Sequence, residues 1–479
     1  MVRTPRFSLA PVYPAVLFLA VFLGRPVWAQ APPPLPASGS LSLIPGLTPP
    51  QAALARAIDF VCPNLAALPS LTANQQDLLA RCSEMLGNAM FNQTGFLFPS
   101  GAASLGLSNA ELADVLGKVS QQNMTSQGTN SIETASKVVG ARLAGLRRAG
   151  TPRFAFNGWN LEEKTASIAP TFTLRGKGGG ASADPNAGNR FGVFLNGNGS
   201  FGQKDTTDRE VGFDFHTVGG TVGADYRVTD TLILGAAFHY LRTNADLVRL
   251  LGDVETDSIG GSLYGTFYLG RFYMDLRGAF KANSYETKRN VVYGTGPNAM
   301  GLPSGTVVNR TAKGDTDGQQ YEADLGLGYE FSLGGFTLTP FGRVEYLNVA
   351  VKSFTETGAL GLDLRIRGQR IQSLQSGLGA QLSYALSVPF GVLVPQARAE
   401  WRHEFKDTSR GITAQFVNDP FGTSFAIPTD NPDRNFAAVG AGISAMFPGG
   451  VSTFVFYETF LGLRDVTNHQ FTGGVRLEF

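Results

Sequence analysis

The sequence predicts an all-β membrane barrel of 12 antiparallel strands, preceded by a small, mainly α-helical N-terminal region. Three observations lead to this fold class. The chain opens with a secretion signal, no later apolar run reaches the length of a spanning helix, and alternating segments rich in Gly and Phe fill the chain after residue 190. Only helices and closed barrels satisfy every backbone polar group in lipid, so these features together favour an outer-membrane barrel.

The first residues predict export. Arg3 and Arg6 precede an apolar run over residues 15–23, and small residues follow in the stretch GRPVWAQA. This order is typical of a signal peptide over residues 1–29, with cleavage after Ala29. A retained anchor is disfavoured, because the apolar run is much shorter than the ~20 residues that span a bilayer.

The overall charge excludes one class of partner. Lys and Arg number 39 and Asp and Glu number 38, so the formal net charge is +1. Nucleic-acid binders carry a basic patch or stripe, and this balance gives no case for one. The hydrophobic content of 43% also argues against a disordered chain.

The residues after the signal predict a spacer and then a helical hairpin. Residues 30–50 are rich in Pro and Ser, so we expect an unstructured spacer. Apolar residues recur at helical spacing from residue 51, and Pro63 and Pro69 are expected to end the first helix. Thr72 and Gln75 then form a capping-box pattern at the start of a second helix.

The only two cysteines, Cys62 and Cys82, fall one in each helix of this hairpin. In an exported chain the simplest interpretation is a disulfide between them. A nucleophilic or metal-binding role is disfavoured, because no histidine precedes His216 to activate a thiol or to share an ion.

Two further helices are predicted, over residues 109–119 and 129–148. The second would be roughly 30 Å long at 1.5 Å per residue, about one hydrocarbon thickness, and its basic residues gather at the C-terminal end. It is either a helix that fills a pore or an ordinary surface helix. Together with the hairpin these helices make a small helical domain over residues 51–149, and residues 150–189 read as a Gly-rich flexible linker.

The remaining residues, 190–479, predict the barrel. Five short connections (VTD, LGR, SLGG, VPFG and FPGG) alternate with longer loops, notably residues 287–318 and 407–432. Such alternation is typical of a barrel with one rim in the periplasm and one outside. The twelve predicted strands begin near Arg190, Val211, Thr231, Val254, Arg271, Gln319, Gly335, Gln369, Gly391, Asp433, Val451 and Thr467.

Charged residues at period two predict the inner face of the barrel. In the stretch QYEADLGLGYEF, Tyr321, Leu325 and Leu327 would face lipid, with the acidic residues opposite. A short repeat, LTPFGRVEY and LVPQARAEW, places Arg and Glu at equal offsets in two strands. The strand at Val451 is ambiguous, since either face carries apolar residues. The predicted lumen-facing polar residues are Glu322, Asp324, Arg343, Glu345, Arg398, Glu400, Arg402 and Glu404.

Three stretches carry a resemblance to a known family. They are GGTVGADYRVTDTLILGAAFHY from residue 219, the LTPFGRVEY strand from residue 338, and the end of the chain, TNHQFTGGVRLEF. Over residues 190–479 the chain resembles the autotransporter family, the type V secretion proteins with a C-terminal translocator barrel. The set Thr472, Gly474, Leu477 and Phe479 is similar to the signal that the barrel-assembly machinery reads in this family.

The resemblance implies a location and partners. The general secretion pathway would export the chain, and the barrel-assembly machinery would insert the barrel into the lipid of the bacterial outer membrane. The helical domain would be the passenger and would reach the cell surface through or alongside the barrel, with the helix at 129–148 left in the pore. Asn130 is single where passenger-releasing families carry an Asn pair, so release is not expected.

The predicted function is therefore an outer-membrane autotransporter that displays a small helical passenger, with adhesion as one expected role. We predict no enzymatic activity, cofactor or metal, because all four histidines fall in the barrel and neither a GDSL esterase block nor a GDSG protease block is present. Two alternatives stay open: an outer-membrane channel with a periplasmic helical domain, and a secreted enzyme with an unrecognised site. A soluble β-sandwich is a more distant fourth.

Overall fold

A computed structural model describes residues 39–95, 104–120, 190–296, 307–406 and 411–479. Within these ranges, twelve long strands form an antiparallel barrel and three α-helices precede it. The predicted fold class is confirmed. The predicted signal peptide (1–29), the helix at 129–148 and the linker at 150–189 lie outside the described residues.

The barrel strands pair in chain order. They are β1 (Phe191–Lys204), β2 (Phe213–Thr229), β3 (Leu232–Leu247), β4 (Gly252–Leu269), β5 (Phe272–Tyr293), β6 (Val308–Tyr329), β7 (Phe336–Val351), β8 (Gln369–Tyr384), β9 (Gly391–Glu404), β10 (Asn435–Met446), β11 (Val451–Leu461) and β12 (Val466–Glu478). The barrel closes where β1 pairs with β12, with Val193 opposite Leu477. Closure leaves no unpaired strand edge in the lipid.

Side chains on the outer face form the lipid-facing surface. Leu325 and Leu477 are 38% and 45% exposed, and both project outward. Phe280 of β5 and Tyr321 of β6 are cross-strand partners whose ring centroids lie 5.2 Å apart. Phe280 lies eight residue steps after the outward-facing Phe272, or about 26 Å of strand at ~3.3 Å per residue. At the ~40° strand tilt of outer-membrane barrels, this length spans roughly 20 Å of the ~25 Å apolar band between the two aromatic girdles.

Two ends of the barrel differ in their connections. The end with the short connections, which also holds Phe191 and Phe479, is called the turn rim here. The opposite end, which carries the long connections, is called the loop rim. Four short strands form a second antiparallel sheet at the loop rim: Phe354–Thr355, Leu364–Ile366, Gly411–Phe416 and Ser424–Pro428.

Eleven of the twelve predicted strands begin within two residues of an observed barrel strand. The exception is β6, which was expected near Gln319 and begins at Val308. The long loop predicted over residues 287–318 is therefore wrong, because β5 runs on to Tyr293 and pairs with β6 up to Val308. Lys288, Lys313 and Asp315 in this stretch face outward on the part of the barrel wall nearest the loop rim, so their polarity does not mark a loop.

The three helices are α1 (Pro49–Ala66), α2 (Ala73–Thr94) and α3 (Asn109–Ser120). The predicted capping box of α2 is present, with the Gln75 amide donating to the Thr72 hydroxyl. Pro63 does not end α1, which continues to Ala66 with Pro63 on the exposed side of its last turn. Among the described residues, no helix is long and apolar enough to cross a bilayer.

The predicted spacer over residues 30–50 differs from the structure at its C-terminal end. Leu41 lies in a short 3-10 helix and is fully buried in the helical core. Asp59 of α1 accepts hydrogen bonds from the backbone amides of Leu41 and Ser42. Residues 39–48 therefore belong to the helical unit, a name used below for residues 39–95 and 104–120.

Candidate functional site

The inner wall of the barrel has a charged layer at the level of the membrane. On β5, Arg277 and Lys281 face inward, and both reach Glu322 of β6. The distances are 2.7 Å from Arg277 Nη1 and 2.5 Å from Lys281 Nζ. Arg277 also contacts Asp324. Because an uncompensated buried charge is costly, each member of this group depends on its partners.

A second charged group lies further round the wall and joins most of the remaining predicted residues. Arg343 of β7 contacts both Glu345 and Glu400, and Arg398 Nη2 lies 2.7 Å from Glu400 Oε2. Arg402 approaches the same carboxylate at 3.4 Å. Glu400 therefore lies at the centre of three guanidinium groups.

Glu404 is not part of this group. Its carboxylate accepts hydrogen bonds from the backbone amides of Leu374 and Lys406, at 3.0 and 2.7 Å, and from the Ser373 hydroxyl. Glu404 therefore ties β9 to β8 near the loop rim. All eight predicted polar residues face inward, and Glu322, Glu400, Arg402 and Glu404 are buried. The sequence suggested a water-lined surface, whereas the structure has ion pairs largely removed from water.

Above the charged layer the inner wall becomes apolar. This surface, called the socket here, rises beyond Phe280 towards the loop rim. On the outer face of the same wall the residues become polar, with Glu286 opposite Asp315 and Lys288 opposite Lys313. Near the loop rim, apolar side chains therefore face inward and polar side chains face outward, the reverse of the lipid-facing part of the barrel. The socket consists of Tyr285, Val291, Tyr293, Val308, Ala312, Val349, Val351 and Ile371.

The helical unit fills the socket. Its apolar side chains, among them Leu54, Ile58, Leu78 and Met85, form one continuous cluster with the socket residues and the small second sheet. A disulfide joins Cys62 of α1 to Cys82 of α2 inside this cluster, as predicted. The helices are therefore one half of a core whose other half is the barrel.

Arg289 of β5 fastens the end of α3. Its Nη1 donates to the Val119 carbonyl at 3.1 Å, close to the helix C-terminus. Its Nε donates to Glu356 at 3.0 Å, and Nη2 donates to the Leu362 carbonyl at 2.9 Å. A cation at a helix C-terminus is favourable because the last carbonyls carry partial negative charge. Arg289 thereby joins the barrel wall, a rim loop and the helical unit.

Arg310 of β6 fastens the start of α2. Its two terminal nitrogens donate to the two carboxylate oxygens of Asp77, at 2.5 and 2.8 Å. The Gly361 amide donates to the same carboxylate at 3.0 Å. Burial would raise the pKa of Asp77, but the hydrogen bonds from Arg310 and Gly361 outweigh it, so the pKa lies below its usual value.

Gly361 is required for this approach. A Cβ at residue 361 would lie 2.3 Å from the Leu78 backbone nitrogen, which no side chain could accommodate. The rim turn at Leu360–Leu362 therefore packs directly against the backbone of α2.

A third ionic contact joins the rim loops to each other. Lys204 at the end of β1 lies 2.7 Å from Glu210 and 2.6 Å from Asp430. Burial raises the pKa of Glu210, and the neighbouring Lys204 ammonium only partly offsets this effect. The contact holds the β1–β2 connection against the β9–β10 connection.

The family model described as "Autotransporter beta-domain" matches residues 193–458, which is more than half of the chain. The chain belongs to the autotransporter family. Its barrel is the family's outer-membrane translocator domain, and this autotransporter is therefore located in a bacterial outer membrane.

Two similar proteins each match more than half of this chain. The chain is 26% identical over 298 residues to "Outer membrane protein A" of Rickettsia conorii, which covers 60% of this chain and 14% of that protein. It is 25% identical over 258 residues to "Esterase EstA" of Pseudomonas aeruginosa, covering 52% of this chain and 37% of that protein. The autotransporter thus spans well under half the length of these relatives.

One solved structure with a similar architecture is the translocator domain of NalP from Neisseria meningitidis. The TM-score is 0.47 with 18% identity, and the alignment covers 62% of this chain and 90% of that one.

The predicted assembly signal occupies the closing strand of the autotransporter barrel. Thr472 and Gly474 face inward from β12, and Leu477 and Phe479 face outward. Phe479 packs on Phe191 with ring centroids 5.5 Å apart, and their backbones exchange two hydrogen bonds. These residues therefore lie at the seam where the barrel closes. Their role as a signal stays a prediction.

The residues that join the helical unit to the barrel were not found from the sequence. Arg289, Arg310, Asp77 and Glu356 lie far apart in the chain, and none belongs to a recognisable motif. The inverted alternation after Phe280 is the one sequence signal that indicates a covered wall. Among the residues that the structure describes, no group of three or more His, Cys, Asp or Glu side chains is arranged to hold a metal ion.

Proposed function

We propose that this autotransporter barrel carries the helical region to the cell surface and holds it there as a non-enzymatic, binding or structural passenger. One observation carries the proposal. The helical unit ends at Ser120 against the loop rim, whereas β1 begins at Phe191 on the turn rim. Outer-membrane barrels have short periplasmic turns and longer external loops, so the helical unit lies on the external side.

The connection between Ser120 and Arg190 then has to return across the membrane. Residues 121–189, which make this connection, lie outside the described residues. Whether the helix predicted at 129–148 occupies the pore stays a prediction.

A non-enzymatic passenger is supported by the surroundings of the histidines. His239 lies between Thr221 and Ser262 inside the barrel, at 2.9 and 2.7 Å, and among the described residues no carboxylate bonds to its ring. His216, His403 and His469 lie in barrel strands and contact Asn244, Asn435 and Tyr457. A nucleophile in the helical unit would therefore lack a histidine base.

An adhesive role is the finer part of the proposal. Phe60 of α1 and Phe421 of the β9–β10 connection are 44% and 42% exposed and pack edge to face, with ring centroids 6.4 Å apart. Aromatic residues, Phe among them, are enriched in protein interfaces. We expect F60A and F421A to weaken attachment of cells to a host surface without changing the amount of barrel in the membrane.

Labelling of intact cells tests the orientation. Asn74 is exposed on the helical unit, and Asp230 is exposed in the β2–β3 turn. With a membrane-impermeant maleimide, N74C should react on intact cells, and D230C should react only after the outer membrane is permeabilised. The opposite result would favour a channel with a periplasmic helical domain and would overturn the proposal.

A further inference from the structure

We propose that the helical unit is a lid held in the socket by non-covalent contacts alone, so that it stays docked on the barrel after the chain between Ser120 and Arg190 is cut. This inference rests on the proposed function, because the lid must lie on the external rim.

The socket needs a cover. Its apolar residues face the interior of a wall that stands above the lipid, where an open mouth would expose them to water. Val291, Val308 and Ala312 are instead no more than 1% exposed, because the helical unit covers them. Removing the helices would therefore expose a continuous apolar surface, and its reburial drives docking.

All three helices contribute to the joint. α1 packs on the short strand Ser424–Pro428, α2 packs on the turn Leu360–Leu362, and α3 packs on β5. The lead-in to α3 adds a backbone hydrogen bond, in which the Gly296 amide donates to the Leu105 carbonyl at 2.8 Å. Contacts spread over three helices resist peeling of any one of them.

Two polar contacts, called latches below, fix the orientation of the helical unit on the barrel. Arg289 holds the C-terminus of α3, and Arg310 holds Asp77 near the N-terminus of α2. Both arginines come from the barrel, and both partners come from the helical unit. Bidentate arginine–carboxylate pairs combine strength with a fixed geometry, so the Arg310–Asp77 pair sets how the lid is seated.

The experiment cuts the connecting chain of the full-length protein. A recognition sequence for a specific protease is inserted after Gly128 in one version and after Gly180 in another. Outer-membrane fragments are digested, complete cutting is verified on a denaturing gel, and the membranes are sedimented. The expected result is that the helical fragment sediments with the barrel. Its appearance in the supernatant would overturn the proposal.

A neighbouring residue pair reports seating independently. Val291 faces the socket and is fully buried, whereas Val292 faces outward and is 44% exposed. After cutting, maleimide should label V291C at least tenfold more slowly than V292C. Equal rates would show that the lid has left the socket and would overturn the inference. The mobility of the unheated barrel on a gel checks that each variant is folded.

The latch is tested with a charge-matched pair. D77N and Q76K each raise the net charge by one, but Gln76 is exposed and makes no contact with Arg310. After cutting, D77N should release at least fivefold more helical fragment than Q76K, and equal release would refute the role of Asp77. If N74C fails to react on intact cells, the proposed function fails, whatever the outcome of the cutting experiment.

Discussion

Arg343 of β7 and Glu400 of β9 form a hydrogen-bonded ion pair across β8, the strand that lies between them. The contact is possible because Gly377 of β8 faces inward directly beneath it. A Cβ at residue 377 would lie 2.1 Å from Glu400 Oε1 and 3.2 Å from Arg343 Cγ. The absence of a side chain on β8 thus lets Arg343 of β7 reach a carboxylate of β9 across the strand between them.

Gly377→Ala should destabilise the barrel, because the added methyl displaces the Glu400 carboxylate from its partners. We expect a loss of about 1–3 kcal/mol, the usual cost of overpacking. The measurement is the urea concentration at which the folded, fast-migrating form disappears from an unheated gel. Gly278→Ala is the matched control, since a Cβ there meets nothing within 4 Å. Equal urea midpoints of unfolding for the two variants would contradict an ion pair between Arg343 and Glu400 that passes over Gly377.

Glu400→Gln should be more harmful than Gly377→Ala. The substitution leaves Arg343, Arg398 and Arg402 close together without their shared counter-charge. Breaking a buried ion pair by neutralising one partner typically costs about 3–5 kcal/mol. The same urea titration measures the effect, and Glu286→Gln on the exposed outer face is the control. If both variants unfold at the same urea concentration as the unsubstituted protein, this role of Glu400 is wrong.

The barrel could be predicted from the sequence because each strand places apolar side chains against lipid and polar side chains inside, so the two kinds alternate along the strand. The repeat LTPFGRVEY and LVPQARAEW correctly put Arg343 and Arg398 on one face. It could not predict that both would share Glu400, because that depends on an inward glycine in the strand between. The Val451 strand was ambiguous for a related reason: Phe456 fits inside only because Gly440 and Gly442 of the neighbouring strand leave room for its ring.

The contacts between the helical unit and the barrel could not be predicted from the pattern of residues in the strands. A period-two pattern reports which residues share a face, and it does not report what covers that face. Beyond Phe280, polar residues such as Glu286 and Lys288 face water and apolar residues face a protein core, so the wall resembled a polar loop. The partners Arg310 and Asp77 are 233 residues apart in the sequence, and only the fold brings them together.

Loss of the disulfide should loosen the helical unit. Cys62 and Cys82 are separated by 20 residues, and closing a loop of that size stabilises a fold by roughly 3 kcal/mol in the chain-entropy model. The double variant C62S/C82S should therefore show faster cleavage of the helical unit by added trypsin on intact cells. Ser83→Ala, a neighbouring substitution that keeps the disulfide, is the control. Unchanged cleavage would mean that the socket alone stabilises the hairpin.

Phe479→Ala should lower the amount of assembled barrel. Phe479 closes the seam with Phe191 and stands at the end of the predicted assembly signal. We expect several-fold less heat-modifiable protein in the outer-membrane fraction, with unfolded chain accumulating in the periplasm. Phe390→Ala removes an exposed aromatic of the short β8–β9 connection, away from the seam. Equal losses in both variants would assign the effect to general destabilisation and not to the signal.

Docking of the helical unit should weaken in acid. The hydrogen bonds from Arg310 and Gly361 hold the pKa of Asp77 below its usual value despite the opposing effect of burial, and Arg81 also contributes. A carboxylate with a lowered pKa stabilises the docked state above its ordinary pKa of about 3.9, and this contribution is lost as the pH falls through the lowered value.

The ratio of the maleimide labelling rate at V291C to the rate at V292C measures docking, because the ratio removes the intrinsic pH dependence of the reagent. This ratio should stay constant from about pH 7 to 5 and rise towards 1 below about pH 4. In a D77N background the ratio should already be higher at neutral pH and should change less in acid. A ratio for the parent protein that stays constant down to pH 3 would contradict this prediction. If the ratio rises in acid equally in the parent and in D77N, the acid response belongs to another carboxyl group, such as Asp363, whose pKa is raised by burial.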